Sequence, residues 1–96
     1  MIHFQRRYEP GVREAIASLP PDIKRLITTA LDGLQKNPHI GTPLVLELEG
    51  LWKYRANRYR IVYEIRLKEK EIVIVMIGRR ENIYEQVRLR FGKGKK

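Results

Sequence analysis

In LWKYRANRYRIVYEIR, residues 51–66, apolar and aromatic side chains alternate with basic ones on both sides of Asn57-Arg58. That period-two pattern predicts two half-buried strands folded back on each other. With Asn57-Arg58 as a two-residue loop, antiparallel pairing sets Ala56 opposite Tyr59, Arg55 opposite Arg60, Tyr54 opposite Ile61, Lys53 opposite Val62 and Trp52 opposite Tyr63. Directly opposed residues share a face. Trp52, Tyr54, Ile61 and Tyr63 therefore form an apolar patch, while Lys53, Arg55, Arg60 and Glu64 line the reverse side. Like charges set across a ladder destabilise it, so Arg55 against Arg60 is a cost that an anion bound there would offset.

Downstream, Lys68-Glu69-Lys70 reads as a charged turn, and IVIVMI at 72–77 is apolar at every position, as expected of a central strand covered on both faces. A three-residue turn would place Ile72, Ile74, Met76 and Arg80 on the face of Arg60 and Glu64; an even-length turn would bring Arg79 there instead. The cover for the second face is NIYEQVRLRF, 82–91, where Ile83, Val87 and Phe91 form a weak helical stripe. Upstream, IHFQRRY at 2–8 reads as an edge strand broken by Pro10-Gly11. Val12, Ala15, Ile16 and Leu19 then recur at helical spacing. Ile23, Leu26, Ile27, Ala30, Leu31 and Leu34 mark a second helix, opened by Pro21 and stopped by Asn37-Pro38. The expected fold is α+β: β-α-α-β-β-β with a mostly antiparallel four-stranded sheet, an N-terminal helical hairpin on one face and a short C-terminal helix. The Lys53, Arg55 and Arg60 face is left as an open basic surface.

The chain has 96 residues, no cysteine and a formal charge of +9. That length predicts one domain, over 1–91, followed by a disordered basic tail at 92–96. Without cysteine there is no disulfide, thiolate nucleophile or Cys-ligated zinc. No apolar run is long enough for a membrane span and no secretory signal pattern is present, so a soluble, cytoplasmic protein without membrane partners is expected. The charge is lopsided: residues 1–50 carry six basic and six acidic side chains, residues 51–96 fourteen and five. One-sided basicity points to a polyanion, nucleic acid first and an acidic protein second.

Few residues are equipped for chemistry. His3 and His39 lie in the first strand and in a proline-flanked loop, and a metal site would lack its third ligand, so neither a metal nor any other cofactor is expected. No nucleophile elbow, phosphate loop or dinucleotide fingerprint occurs. What remains is a convergence of cations: Arg79 or Arg80 arrives from the third strand of the meander beside Arg55 and Arg60, with Tyr84 close behind.

These residues carry a family resemblance. Leu19-Pro20, Asn37-Pro38, LEGLWKYR at 48–55 (ending on Arg55), YRIVYEI at 59–65 and GRRENIY at 78–84 together resemble the RelE/ParE toxin superfamily of type II toxin–antitoxin modules, closer to its RelE branch. The resemblance implies ribosome-dependent mRNA cleavage, in which a ribose 2′-hydroxyl attacks the adjacent phosphate. It places Lys53, Arg55, Arg60, Arg80 and Tyr84 at the family's catalytic positions, with Arg58 and Arg79 as further phosphate contacts. Guanidinium groups stay protonated, so Arg55, Arg60 and Arg80 would act electrostatically, with Arg80 also a candidate acid. Lys53 is the first candidate base, because an amine can give up its proton among other cations; Glu64 is the competitor. Tyr84 would stack on a base or bind a phosphate. Two positions depart from many relatives: Arg79 stands where they carry histidine, and Thr42 where others carry glutamate.

The implied partners are a cognate acidic antitoxin, the ribosome and mRNA, with operator DNA reached only through the antitoxin complex. The antitoxin is expected to lay a helix or strand on the helices and sheet edge, or to displace residues 82–91. The competing expectations are a ParE-like, non-nucleolytic inhibitor of DNA gyrase and a degenerate toxin that retains only antitoxin and operator binding.

Overall fold

The computed structural model describes residues 3–79 and 83–91. Their order is β1 (Gln5–Tyr8), α1 (Val12–Ala17), α2 (Pro21–Lys36), β2 (Thr42–Pro43), β3 (Leu51–Ala56), β4 (Tyr59–Arg66), β5 (Glu71–Gly78) and α3 (Ile83–Phe91), with single 3-10 turns at Pro38–Ile40 and Leu46–Leu48. The five strands pair in the order β1-β5-β4-β3-β2, and only β1 runs parallel to its neighbour. The α+β architecture is the expected one, and the sheet gains one strand over the sequence reading. Thr42 and Pro43 pair with Lys53 and Trp52 at the sheet's edge, a place where proline's missing N–H does no harm.

α2 is the longest element because its sequence supports a helix from end to end. Pro21 occupies the first turn, Asp22 complements the positive N-terminal end of the dipole and Lys36 the negative C-terminal end. Asn37 leaves the helical region at φ −149°, and its side chain accepts the His39 amide at 3.2 Å. Ile27, Leu31 and Leu34 are buried against Ile61, Tyr63, Ile72 and Ile74 from the sheet. Each such side chain contributes about 1.5–3 kcal/mol of hydrophobic stabilisation. α2 is tied to the β1 edge as well, where Gln35 Nε2 donates to the Phe4 carbonyl at 2.7 Å and Arg6 meets Asp32 at 3.1 Å.

The β3–β4 hairpin has the pairing that its alternation dictates, with Arg55 directly opposite Arg60 and Trp52 opposite Tyr63. Asn57, at φ 60°, takes the left-handed turn position that asparagine tolerates better than most residues. The next connection differs from the three-residue case. The turn occupies Leu67–Lys70, four residues, so Ile65 pairs with Ile72 and Tyr63 with Ile74, and both isoleucines face the helices rather than sharing a side with Arg60. A β-bulge then reverses the parity: Val62 pairs with Met76, leaving Val75 as the extra residue. Beyond it Gly78 stands opposite Arg60.

The second sheet face is covered in part. Val87 of α3 and Leu48 of the 3-10 turn pack on Val62 and Val75, with Met76, Leu44, Leu51 and Tyr84 around them. α3 thus covers the second face of β5, as expected of residues 82–91, and the cations lie beyond it, Arg55, Arg58 and Arg79 exposed and Lys53 and Arg60 half-buried. The tail at 92–96 lies outside the described residues. No helix among the described residues is long and apolar enough to cross a membrane.

Candidate functional site

Beyond the edge of α3, Lys53, Arg55 and Arg60 come together. They line a hollow of about 260 Å³ with Tyr54, Tyr84 and the connector residues Ile40, Gly41 and Thr42. Lys53 and Arg55 alternate along β3, and pairing places Arg60 across from Arg55, so all three project to the same side. The Lys53 Nζ lies 5.5 Å from the centre of the Tyr84 ring, within cation–π range. Tyr84 belongs to α3, and the buried Val87 one turn further on holds that helix to the sheet.

A second hollow of about 320 Å³ adjoins the first through Arg55 and Arg60 and adds Arg58 and Arg79. Four guanidinium groups therefore border one concavity. Arg55 Nε donates to the Asn57 carbonyl at 3.0 Å and Arg60 Nη1 to the Arg79 carbonyl at 3.4 Å, which fixes both side chains relative to the hairpin tip and to the end of β5. At about 4 Å from a unit negative charge, each guanidinium near the surface is worth about 4 kcal/mol of attraction before the cost of desolvation.

The sequence-predicted residues separate into three groups. Lys53, Arg55, Arg60 and Tyr84 share the first hollow, and Arg58 and Arg79 join Arg55 and Arg60 in the second. Glu64 stands apart: it lies four positions along β4 from Arg60, pairs with Arg66 at 3.4 Å and borders neither hollow. Arg80 lies outside the described residues.

Residue patterning gave no signal for the wall at Ile40–Thr42, which only the family comparison at Thr42 touched, because a long-range bond positions it. The hydroxyl of Tyr63, a fully buried residue of β4, donates to the Pro38 carbonyl at 2.6 Å, bracing the connector against the sheet. Burial pushes the Tyr63 hydroxyl from 10.0 up to about 12, only partly countered by the Gly41 backbone hydrogen bond. Gly41 has no room for a side chain: a Cβ there would collide with the Tyr63 hydroxyl and come 2.5 Å from the Lys53 carbonyl oxygen. Beside this wall the His39 ring meets Trp52 edge-on, with centroids 5.2 Å apart.

The family description "ParE toxin of type II toxin-antitoxin system, parDE" matches residues 5–84, a span that takes in every strand and both cationic hollows. The chain belongs to the RelE/ParE toxin superfamily. Toxin RelG of Mycobacterium tuberculosis is 30% identical over 82 residues, which cover 83% of this toxin and 94% of RelG. Among solved structures, a chain of the toxin–antitoxin complex RelBE2 from Mycobacterium tuberculosis superposes with a TM-score of 0.75 at 29% identity, covering 83% of this toxin and 94% of that chain. A chain of the archaeal RelE–RelB complex from Pyrococcus horikoshii OT3 shares the fold, with a TM-score of 0.67 at 24% identity over 83% of this toxin and 98% of that chain. The toxin is thus a member of a type II toxin–antitoxin system family.

Proposed function

We propose that this toxin is a ribosome-dependent mRNA endoribonuclease that needs no metal ion and is held inactive by a cognate antitoxin, acidic where it covers the cationic hollows. The observation that carries the reading is the meeting of Lys53, Arg55, Arg60 and Tyr84 around one hollow that runs on into a cluster of guanidinium groups. A phosphate in that hollow meets the charge that a phosphorane needs, and an amine stands on the wall to take a proton. The 2′-hydroxyl gives its proton to Lys53 and its oxygen bonds to the neighbouring phosphorus. Arg55 and Arg60 balance the added negative charge, and the bond to the 5′-oxygen breaks. The products are a 2′,3′-cyclic phosphate and a 5′-hydroxyl, whose proton comes through water from the ammonium that Lys53 has become. Glu64 is the weaker base, since Arg66 engages it and it borders neither hollow. Arg80 keeps its role as a further cation or acid on the family resemblance alone. The antitoxin reading draws on the RelBE2 relative, which was solved as a toxin–antitoxin complex. A cytoplasmic site of action follows from the ribosomal substrate.

Mapping of message ends in a translating extract tests this. The wild-type chain should leave 5′-hydroxyl and 2′,3′-cyclic ends, and Arg60→Ala should lower the cleavage rate about 10²–10³-fold, the usual loss for one group that stabilises transition-state charge. Intact message in the presence of folded wild-type toxin would sink the proposal. The ParE name of the matching family favours one second reading, a non-nucleolytic inhibitor of DNA gyrase. Loss of supercoiling by purified gyrase, with message left whole, would select it.

A further inference from the structure

The two cationic hollows leave a third unexplained. It lies at the hairpin tip, has a volume of about 320 Å³ and is lined by Pro20, Ile23, Asn57, Arg58, Tyr59 and Arg79. We infer that this third hollow is a base-binding subsite: it holds one nucleobase of a single-stranded RNA whose neighbouring phosphates lie along the cationic hollows. The inference rests on the nuclease reading above and adds a place where the toxin grips its substrate away from the scissile bond.

Three features of the hollow point to a base. Its volume is at the small end of the range for small-ligand sites, and its walls combine the apolar Pro20 and Ile23 with the ring of Tyr59. It shares Arg58 and Arg79 with the second hollow, which shares Arg55 and Arg60 with the first, so the three adjoin in a track that turns around the hairpin tip from one sheet face to the other. Along that track cationic and apolar-aromatic sections succeed each other, as phosphates and flat bases do along a single strand.

The subsite is also built from rigid parts. Pro20 and Pro21 fix the start of α2 and hence Ile23, and Tyr59 sits opposite the buried Ala56 in the pair that closes the hairpin turn. The Asn57 carbonyl is held by Arg55 Nε at 3.0 Å, which links the tip of the hairpin to the adjoining cationic hollow. Arg58 and Arg79, shared between the two hollows, are placed to grip the phosphate between one nucleotide and the next.

The test uses two uncleavable 2′-O-methyl hexanucleotides with the same phosphates, one bearing bases and one abasic, and measures their binding to the full chain by fluorescence anisotropy at 50 mM salt. Tyr84 is the other ring able to hold a base, so the Tyr84→Leu variant isolates the hairpin-tip hollow. In that variant the base-bearing strand should bind between about fivefold and about a hundredfold tighter than the abasic one, the range for stacking a single base. Adding Tyr59→Leu, which keeps an apolar side chain but removes the ring, should cut the ratio below about twofold while affinity for the abasic strand persists, which also shows that the variant is folded. Equal binding of the two strands by Tyr84→Leu, no measurable binding of either strand, or an undiminished ratio after Tyr59→Leu would each overturn the subsite. The nuclease reading fails separately, by intact message in the translating extract while base discrimination persists.

Discussion

Arg55 and Arg60 face each other across the hairpin and share a concavity with Arg58 and Arg79, so the fold should gain stability when one of these charges is removed. Arg55→Gln is the cleanest perturbation, because glutamine keeps an N–H able to reach the Asn57 carbonyl that Arg55 Nε now contacts at 3.0 Å. If the other three guanidinium groups lie about 8 Å away, the width of the hollow they border, each repels Arg55 by about 0.5 kcal/mol in water, or about 1.5 kcal/mol together. Screening leaves about 1.2 kcal/mol of this at 10 mM salt and about 0.1 kcal/mol at 1 M, where the Debye lengths are about 30 and 3 Å. The variant should therefore gain about 1 kcal/mol on wild type between high and low salt, or roughly 4–8 °C in Tm for a domain of this size. Paired thermal melts of the two proteins across that salt range provide the measurement. Comparing them in the same buffer cancels general salt effects and any loss of the hydrogen bond. Inorganic phosphate at low ionic strength should raise the Tm of wild type more than that of the variant, since a bound anion relieves the same repulsion. A Tm difference that does not change with salt would refute the claim that this cluster is held under electrostatic stress.

Four further outcomes follow from the packing around the site. Tyr63→Phe removes the bond to the Pro38 carbonyl and should cost about 1–3 kcal/mol in denaturant melts, with a matching loss of activity as the connector wall loosens. With the Tyr63 hydroxyl raised from 10.0 to about 12, the native state holds its proton more tightly than the unfolded chain. This part of the stability is present below pH 10 and is lost as pH rises towards 12, so wild type should lose about 2–3 kcal/mol relative to Tyr63→Phe across that window. Gly41→Ala forces its methyl group into the Tyr63 hydroxyl and the Lys53 carbonyl and should cost about 1–3 kcal/mol of overpacking strain, measurable by chemical denaturation. Val87→Ala should cost about 1–3 kcal/mol, and because Tyr84 rides on the same helix, RNA cleavage should fall further than global unfolding alone explains.

The hairpin was legible because two independent signals agreed. Strict alternation fixed which residues share a face, and a two-residue loop fixed the register, so Arg55 had to meet Arg60. α2 was legible for a similar reason, its apolar spacing being bracketed by Pro21 and Pro38. The apolar run at 72–77 has no alternation, so nothing in it marks the register; its pairing is set by a four-residue turn and by the extra residue Val75. β2 is two residues long and contains a proline, too little for any periodic signal. The Ile40–Thr42 wall of the site is placed by Tyr63, more than twenty residues away in sequence, and local patterns are silent about such a bond. The cations of the site were readable one by one, but the grouping of Arg58 and Arg79 with Tyr59 and Ile23 needed α2 and the hairpin tip in three dimensions.

The bulge at Val75 has a wider consequence. Through it β5 gives Ile72, Ile74 and Ile77 to the helical layer and Val75 and Met76 to the layer under α3, so both faces of this interior strand are committed to packing. Chemistry is then left to the part of the sheet beyond α3, where Arg55, Arg58, Arg60 and Arg79 gather around the hairpin tip and the end of β5 and Lys53 reaches in from β3. That region can be rewritten residue by residue without disturbing the interior. Such a scaffold can change its target, or lose its activity, while its core stays the same.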